Sequence, residues 1–149
     1  MGLADIMRQA AEAGAKPDMA RLLAAIPYAR FLGITADRKG TEITTILPFK
    51  ADLVGNTFLR ALHGGVVGGF LETTAMAQVI FELPSVEMPK PVDINIDYLR
   101  SGRAVETYGR AVITKRGRRV VNVHAEAWQE DHQKPIATLR GHFLLPEAG

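Results

Sequence analysis

Residues 62 to 81 read LHGGVVGGFLETTAMAQVIF, an apolar stretch that holds one histidine, His63, one acid, Glu72, and four glycines, Gly64, Gly65, Gly68 and Gly69. Its pattern predicts a helix beginning at Gly64 or Gly65, on which Gly65, Gly68, Gly69, Glu72, Met76 and Val79 form one stripe. Unpaired N–H groups at a helix start suit an anion or a carbonyl oxygen gaining negative charge. A carboxylate in reach of that carbonyl acts as general base on water or as nucleophile. Interior glycines cost roughly 1 kcal/mol each against alanine, so Gly68 and Gly69 should answer to a close approach by a ligand or another backbone.

Spacing limits how these parts can combine. Gly64 and Glu72 are eight residues apart, roughly 12 Å along a helix at 1.5 Å per residue. One helix cannot aim both at one carbonyl, but two antiparallel copies across a two-fold axis can, with Glu72 of one beside Gly64 of the other. Read alone, Glu72 is either such a group or an ordinary glutamate, solvated or paired with arginine. His63 either shapes the helix entrance or transfers a proton.

Composition narrows the field. The 149 residues are 47% hydrophobic, enough for one core and one domain. With 18 basic against 16 acidic residues, nothing suggests a general nucleic-acid or membrane surface. The stretch MGLADIMR has neither signal-peptide nor myristoylation character, and a cytoplasmic protein is expected. There is no cysteine, and the two serines, Ser85 and Ser101, stand outside any nucleophile elbow.

Around the apolar helix, the pattern predicts a helical lead-in over residues 1–26, with Leu3, Ile6, Met7 and Ala10, then Met19, Leu22, Leu23 and Ile26, as its apolar positions. After PYARFLG come two strands, ITADRK and EITTILPF, and then a loop, ADLVGNTFLRA. Beyond the helix, the loop LPSVEMPKP leads to four alternating runs. Val92, Ile94, Ile96 and Tyr98 face inward in the first. AVETYGRAVIT and VVNVHAEAW are joined by a hairpin at Gly117, and Ala137, Leu139, Gly141, Phe143 and Leu145 share a face in the last. The economical fold is α+β: a curved antiparallel sheet wrapped around the helix.

Other residues have chemical potential too. Lys115, Arg116 and Arg118, in the turn KRGRR, form either a solvated hairpin or a mobile phosphate-binding turn, and Arg100 is a similar candidate. DINID imitates a calcium loop, but Tyr98 takes the place of its glycine and Ala104 that of its terminal glutamate, so Asp93 and Asp97 read as outward strand residues. The four histidines, His63, His124, His132 and His142, lack metal-ligand spacing, and no metal is expected.

The motif LHGGVVGGFLE, with its acid nine residues after the histidine, resembles the hotdog-fold thioesterases of the phenylacetate-degradation and hydroxybenzoyl-coenzyme A thioesterase type. VDINIDYLRSG resembles the family's strand after the central helix, and KRGRRVVNVHAEAWQEDHQKPIATLRGHFLL its last two strands. The similarity covers residues 27 to 146. It implies a hotdog fold, hydrolysis of acyl-coenzyme A without cofactor or metal, and homodimers often paired into homotetramers. It also implies that Gly64 is the backbone donor to the thioester carbonyl and Glu72 the nucleophile or general base.

Gly65, Gly68, Gly69, Thr73 and Met76 are the expected substrate-binding positions, open to aryl or aliphatic acyl groups. The family's Asn or Gln six residues before the histidine is Thr57 here, with Asn56 one earlier as the replacement. Arg60, Met76 and Pro91 also depart from common family residues, which leaves Asn56, Thr73 or Thr74 to position water. Two rival readings remain on the same fold: a non-catalytic acyl-ligand binding module, and a hydratase or dehydratase using Asp52 and His63.

Overall fold

The protein is described by a computed structural model over residues 1–85 and 87–147. Val86, in the expected loop LPSVEMPKP, and residues 148–149 lie outside the described residues. Three helices lead in: α1 (Leu3–Glu12), α2 (Met19–Ala25) and α3 (Pro27–Leu32). Strands β1 (Thr35–Lys39) and β2 (Glu42–Leu47) follow, then a 3-10 turn (Ala51–Leu53) and the short strands β3 (Val54–Asn56) and β4 (Ala61–Leu62). The central helix is α4 (Gly64–Glu82), and β5 (Lys90–Tyr98), β6 (Thr107–Arg116), β7 (Val120–Trp128) and β8 (Ala137–Leu144) complete the chain.

Six strands form one antiparallel sheet in the order β1-β2-β6-β7-β8-β5, with β3 and β4 as a separate ribbon. The sheet curves around α4, which is the hotdog arrangement. Composition makes α4 long and apolar enough to cross a membrane, yet 72% of it is buried inside the protein. It is a core helix, and its apolar surface is what the sheet and lead-in cover.

The period-two pattern works as the strands require. Ile43, Thr45 and Leu47 of β2 and Ala137, Leu139, Gly141 and Phe143 of β8 point to the core, and Phe70, Leu71, Val79, Ile80 and Phe81 of α4 meet them there. A buried polar link runs through this interface. The hydroxyls of Thr45 and Thr74 are 2.7 Å apart, and the Thr74 hydroxyl donates to the Phe70 carbonyl at 2.8 Å. It ties one side of α4 to β2 without leaving a buried polar group unpaired.

Three features differ from the sequence pattern. PYARFLG, to which the pattern assigns no element, holds helix α3, started by Pro27 at its first turn and stopped by Gly33 in the left-handed conformation at φ 77°. The stretch expected as a plain loop holds β3 and β4, too short to show periodicity. The inner set of β5 is only half covered. Ile94 and Ile96 pack against the core, while Val92 and Tyr98 are 62% and 57% exposed. β5 is a sheet edge, with a strand neighbour on one side only among the described residues.

The lead-in docks on β1 and over the C-terminal end of α4. Met19, Leu22 and Leu23 of α2 are buried. The ammonium of Lys16 lies 5.1 Å from the Phe81 ring centre and 3.5 Å from the Glu82 carbonyl oxygen, which favours a cation at that helix end.

Gly109 of β6 tests the packing directly. A methyl group there would lie 2.8 Å from Thr45 Oγ1 and 3.0 Å from the Phe70 ring. Gly109→Ala is expected to cost about 1–3 kcal/mol through overpacking. Urea unfolding should show a lower midpoint with an unchanged slope.

Candidate active site at the entrance and open face of the central helix

His63 is the N-cap of α4. Its backbone is extended (φ −61°, ψ 132°) and its Nδ1 accepts a hydrogen bond from the Gly65 N–H at 2.9 Å. Accepting at Nδ1 puts the proton of the neutral ring on Nε2. The approach to His63 is held by two backbone bonds, His63 N–H to the Leu53 carbonyl and Leu62 N–H to the Gly102 carbonyl, each 2.8 Å. β3 passes so close that a Cβ at Gly55 would sit 2.7 Å from the His63 Cα. Gly55 is a residue the sequence reading missed, although a glycine inside the run VGN was the available signal.

With Gly65 N–H committed to the cap, the Gly64 N–H is left without an acceptor among the described residues. Gly64 lines a cleft of about 370 Å³ together with Leu62, Val67, Tyr98, Arg100 and Gly102. Tyr98 donates its hydroxyl proton to the Gly64 carbonyl at 2.8 Å, fixing the first turn from the other side. The guanidinium of Arg100 is steadied by a 3.1 Å bond from Nε to the Pro135 carbonyl. A backbone donor at a helix N-terminus beside an arginine is an environment for negative charge.

Glu72 lies two turns along the same helix, half-buried, with no hydrogen-bond or ion-pair partner among the described residues. It is neither a core residue nor half of a surface salt bridge. It belongs to the stripe Gly65, Val66, Gly69, Glu72 and Thr73, the part of α4 that its own chain leaves open. Gly68 is not part of that opening. A Cβ on Gly68 would lie 2.9 Å from Ile96 Cδ1, and one on Gly69 would lie 2.9 Å from Tyr28 Cε2. Both glycines are explained within the chain, by β5 and α3, rather than by a crossing of two helices.

Comparison with known families decides the assignment. Residues 60–136 match the family model described as the thioesterase superfamily. The chain belongs to that superfamily. A solved protein from Chromobacterium violaceum is 37% identical over 99% of this chain and 98% of its own, with a TM-score of 0.74. A Pseudomonas aeruginosa protein is 27% identical over 86% of this chain and 96% of its own, at 0.75. The fold is also that of a thioesterase from Haemophilus influenzae, at 24% identity over 82% of this chain and 84% of that one, TM-score 0.71. No curated protein matches the chain.

The remaining candidates of this thioesterase-superfamily chain divide sharply. Gly64 and Arg100 share the cleft, and Gly65, Gly69, Glu72 and Thr73 share the open stripe. The Thr73 hydroxyl donates back to the Gly69 carbonyl at 2.8 Å. Thr74 is on the opposite side, buried against Thr45, whereas Met76 lies one turn beyond Glu72 on the same face, where the chain already buries it. The Asn56 carboxamide oxygen accepts from Phe58 N–H and Leu59 N–H, both at 3.0 Å, and so builds an exposed turn that carries Thr57 and ends at Arg60 with φ 50°.

Lys115, Arg116 and Arg118 sit at the other end of the helix from Gly64. Arg116 pairs with Glu82 at 3.4 Å, and Glu82 is eighteen residues from Gly64, roughly 27 Å along the axis. The basic turn and the Gly64 cleft of one chain therefore cannot hold one small group together. Asp93 and Asp97 face outward, Asp93 to His142 at 2.7 Å and Asp97 to Arg140 at 3.5 Å.

The cap gives a stability test that is separate from chemistry. His63→Ala is expected to cost about 1 kcal/mol, lowering the melting temperature by roughly 2–4 °C for a chain of this size. His63→Asn, which can accept the same hydrogen bond, should restore most of that loss in a thermal melt.

Proposed function

We propose that the protein hydrolyses acyl-coenzyme A thioesters to the free acid and coenzyme A, in a homodimer whose active sites are built from both chains. The observation that carries this reading is Glu72 itself: a carboxylate without a partner on an open, small-residue face of a helix otherwise buried. Unpaired carboxylates in such places are candidates for acid and base work. The uncommitted Gly64 N–H supplies the matching oxyanion donor.

The separation along α4 makes the second chain necessary. Eight residues, roughly 12 Å, keep Glu72 away from its own Gly64, whereas a two-fold axis brings the partner subunit's Glu72 to it. The edge strand β5 supports the same arrangement, because the outer edge of Lys90–Tyr98 has no strand partner among the described residues. Two such edges meeting antiparallel would set two α4 helices side by side and cover Val92 and Tyr98.

In that site the thioester carbonyl accepts from the Gly64 N–H. Glu72 takes a proton from water as the water oxygen bonds to the carbonyl carbon, and the C=O electron pair moves to oxygen. Collapse of the tetrahedral intermediate breaks the C–S bond, and the leaving sulfur takes the proton from Glu72. With Glu72 as nucleophile, an anhydride forms first and water cleaves it, giving the same products. Arg100, beside Gly64, is the candidate for a coenzyme A phosphate.

Glu72→Gln is nearly isosteric and should lower kcat by about 10²-fold or more, read as thiol release over a panel of acyl-coenzyme A thioesters, with the dimer intact by sedimentation. Turnover at the wild-type rate, or an active monomer, would refute the reading.

A further inference from the structure

We propose that Tyr28, in the helical lead-in, is a specificity-determining residue: its ring closes the acyl pocket beside Glu72 and sets how long an acyl chain the site accepts. The inference rests on the thioesterase reading above. Tyr28 lies outside the residues that match the family model, and it lies beyond the segment expected to form the lead-in from sequence.

α3 is a short helix anchored by its inner face and its backbone. Ala29 and Leu32 are fully buried, Arg30 reaches the Ala24 carbonyl at 3.2 Å, and Lys50 donates to the Phe31 carbonyl at 3.0 Å. Its outward face is nevertheless aromatic. Tyr28 and Phe31 stack with centroids 6.2 Å apart and are 49% and 72% exposed. Two rigidly mounted aromatic rings left open to water mark a surface that something apolar covers.

Their position says what that is. Tyr28 lies on α4 at Gly69, where a Cβ would be only 2.9 Å from its Cε2 and 3.3 Å from its hydroxyl oxygen. At roughly 100° per residue, Glu72 is turned about 60° from Gly69 on the helix surface, toward the Gly68 side where Ile96 and Tyr98 lie. Glu72 is therefore flanked by a Tyr28 wall seated on Gly69 and an Ile96–Tyr98 wall seated on Gly68, with Gly65 as the floor between them. An acyl chain whose carbonyl sits at Glu72 and runs along this floor meets the Tyr28 ring. Gly69 is what lets the ring lie low enough to block the path. The polar coenzyme A end has Arg100 and the Gly64 cleft instead, so the apolar end of the substrate takes the aromatic wall.

The test is kcat/KM for short-, medium- and long-chain acyl-coenzyme A thioesters with wild type, Tyr28→Ala, Tyr28→Phe and Tyr28→Trp, each checked for an unchanged melt. Tyr28→Ala should raise the long-to-short ratio about tenfold or more. Tyr28→Trp should lower it, and Tyr28→Phe should leave it in place because the ring, not the hydroxyl, forms the wall. A ratio unmoved by both Ala and Trp, or a uniform rise in KM at every length as for a ring stacked on the nucleotide, would overturn the assignment. Wild type with no thiol release at any length would instead defeat the thioesterase reading itself.

Discussion

A helix of nineteen residues with almost no polar face must be covered on nearly every side, and the cost of leaving it in water organises the chain around α4. The sheet takes one side, where Phe70 fits against Gly109 and Thr74 against Thr45. The lead-in takes the C-terminal end, and β5 and α3 close over Gly68 and Gly69. What its own chain leaves partly open is the strip of Gly65, Val66, Gly69, Glu72 and Thr73, and the only charge on it is Glu72. A glutamate here is compatible with folding because its carboxylate reaches water. In the proposed dimer it becomes chemically useful when a second chain covers the strip.

The same economy explains the helix entrance. His63 spends its Nδ1 on Gly65, Tyr98 spends its hydroxyl on the Gly64 carbonyl, and the neighbouring backbone is tied to Leu53 and Gly102. These bonds hold the first turn rigid while leaving the Gly64 N–H without a protein partner. Electrostatic stabilisation of an oxyanion depends on such a donor being fixed in place before charge develops. The histidine serves as a cap, and with its Nδ1 committed there it is poorly placed to be the base that a hydratase would require.

Much of the fold was legible because it rests on periodicity. Ile43, Thr45 and Leu47, and Ala137, Leu139 and Phe143, alternate in sequence as they alternate across the sheet. The apolar run of α4 announced a core helix, and its resemblance to the hotdog thioesterases agreed. Short elements left no period to read: α3 spans six residues and β4 two. Long-range contacts were also beyond sequence. Gly68 and Gly69 were legible as sites of close approach, but not that Ile96 and Tyr28 make it. Asn56 had the right chemistry for a water holder, whereas the fold uses its oxygen for a turn. Val92 and Tyr98 fit an inner pattern on a strand that turned out to be an edge.

The central claim is that Gly64 and Glu72 work across two chains, and it can be measured by complementation. Gly64 is the first helical residue and His63 before it already has the extended backbone that precedes proline, so Gly64→Pro removes the N–H with little strain. A Cβ at this position would meet Tyr98 at ordinary contact distance, 3.5 Å. Homodimers of Gly64→Pro and of Glu72→Gln should each release almost no thiol. A purified heterodimer of the two has one site with both native residues, and the account predicts that it recovers about half of the wild-type rate per dimer. A heterodimer as inactive as its parents would contradict the shared site and place donor and carboxylate in separate roles.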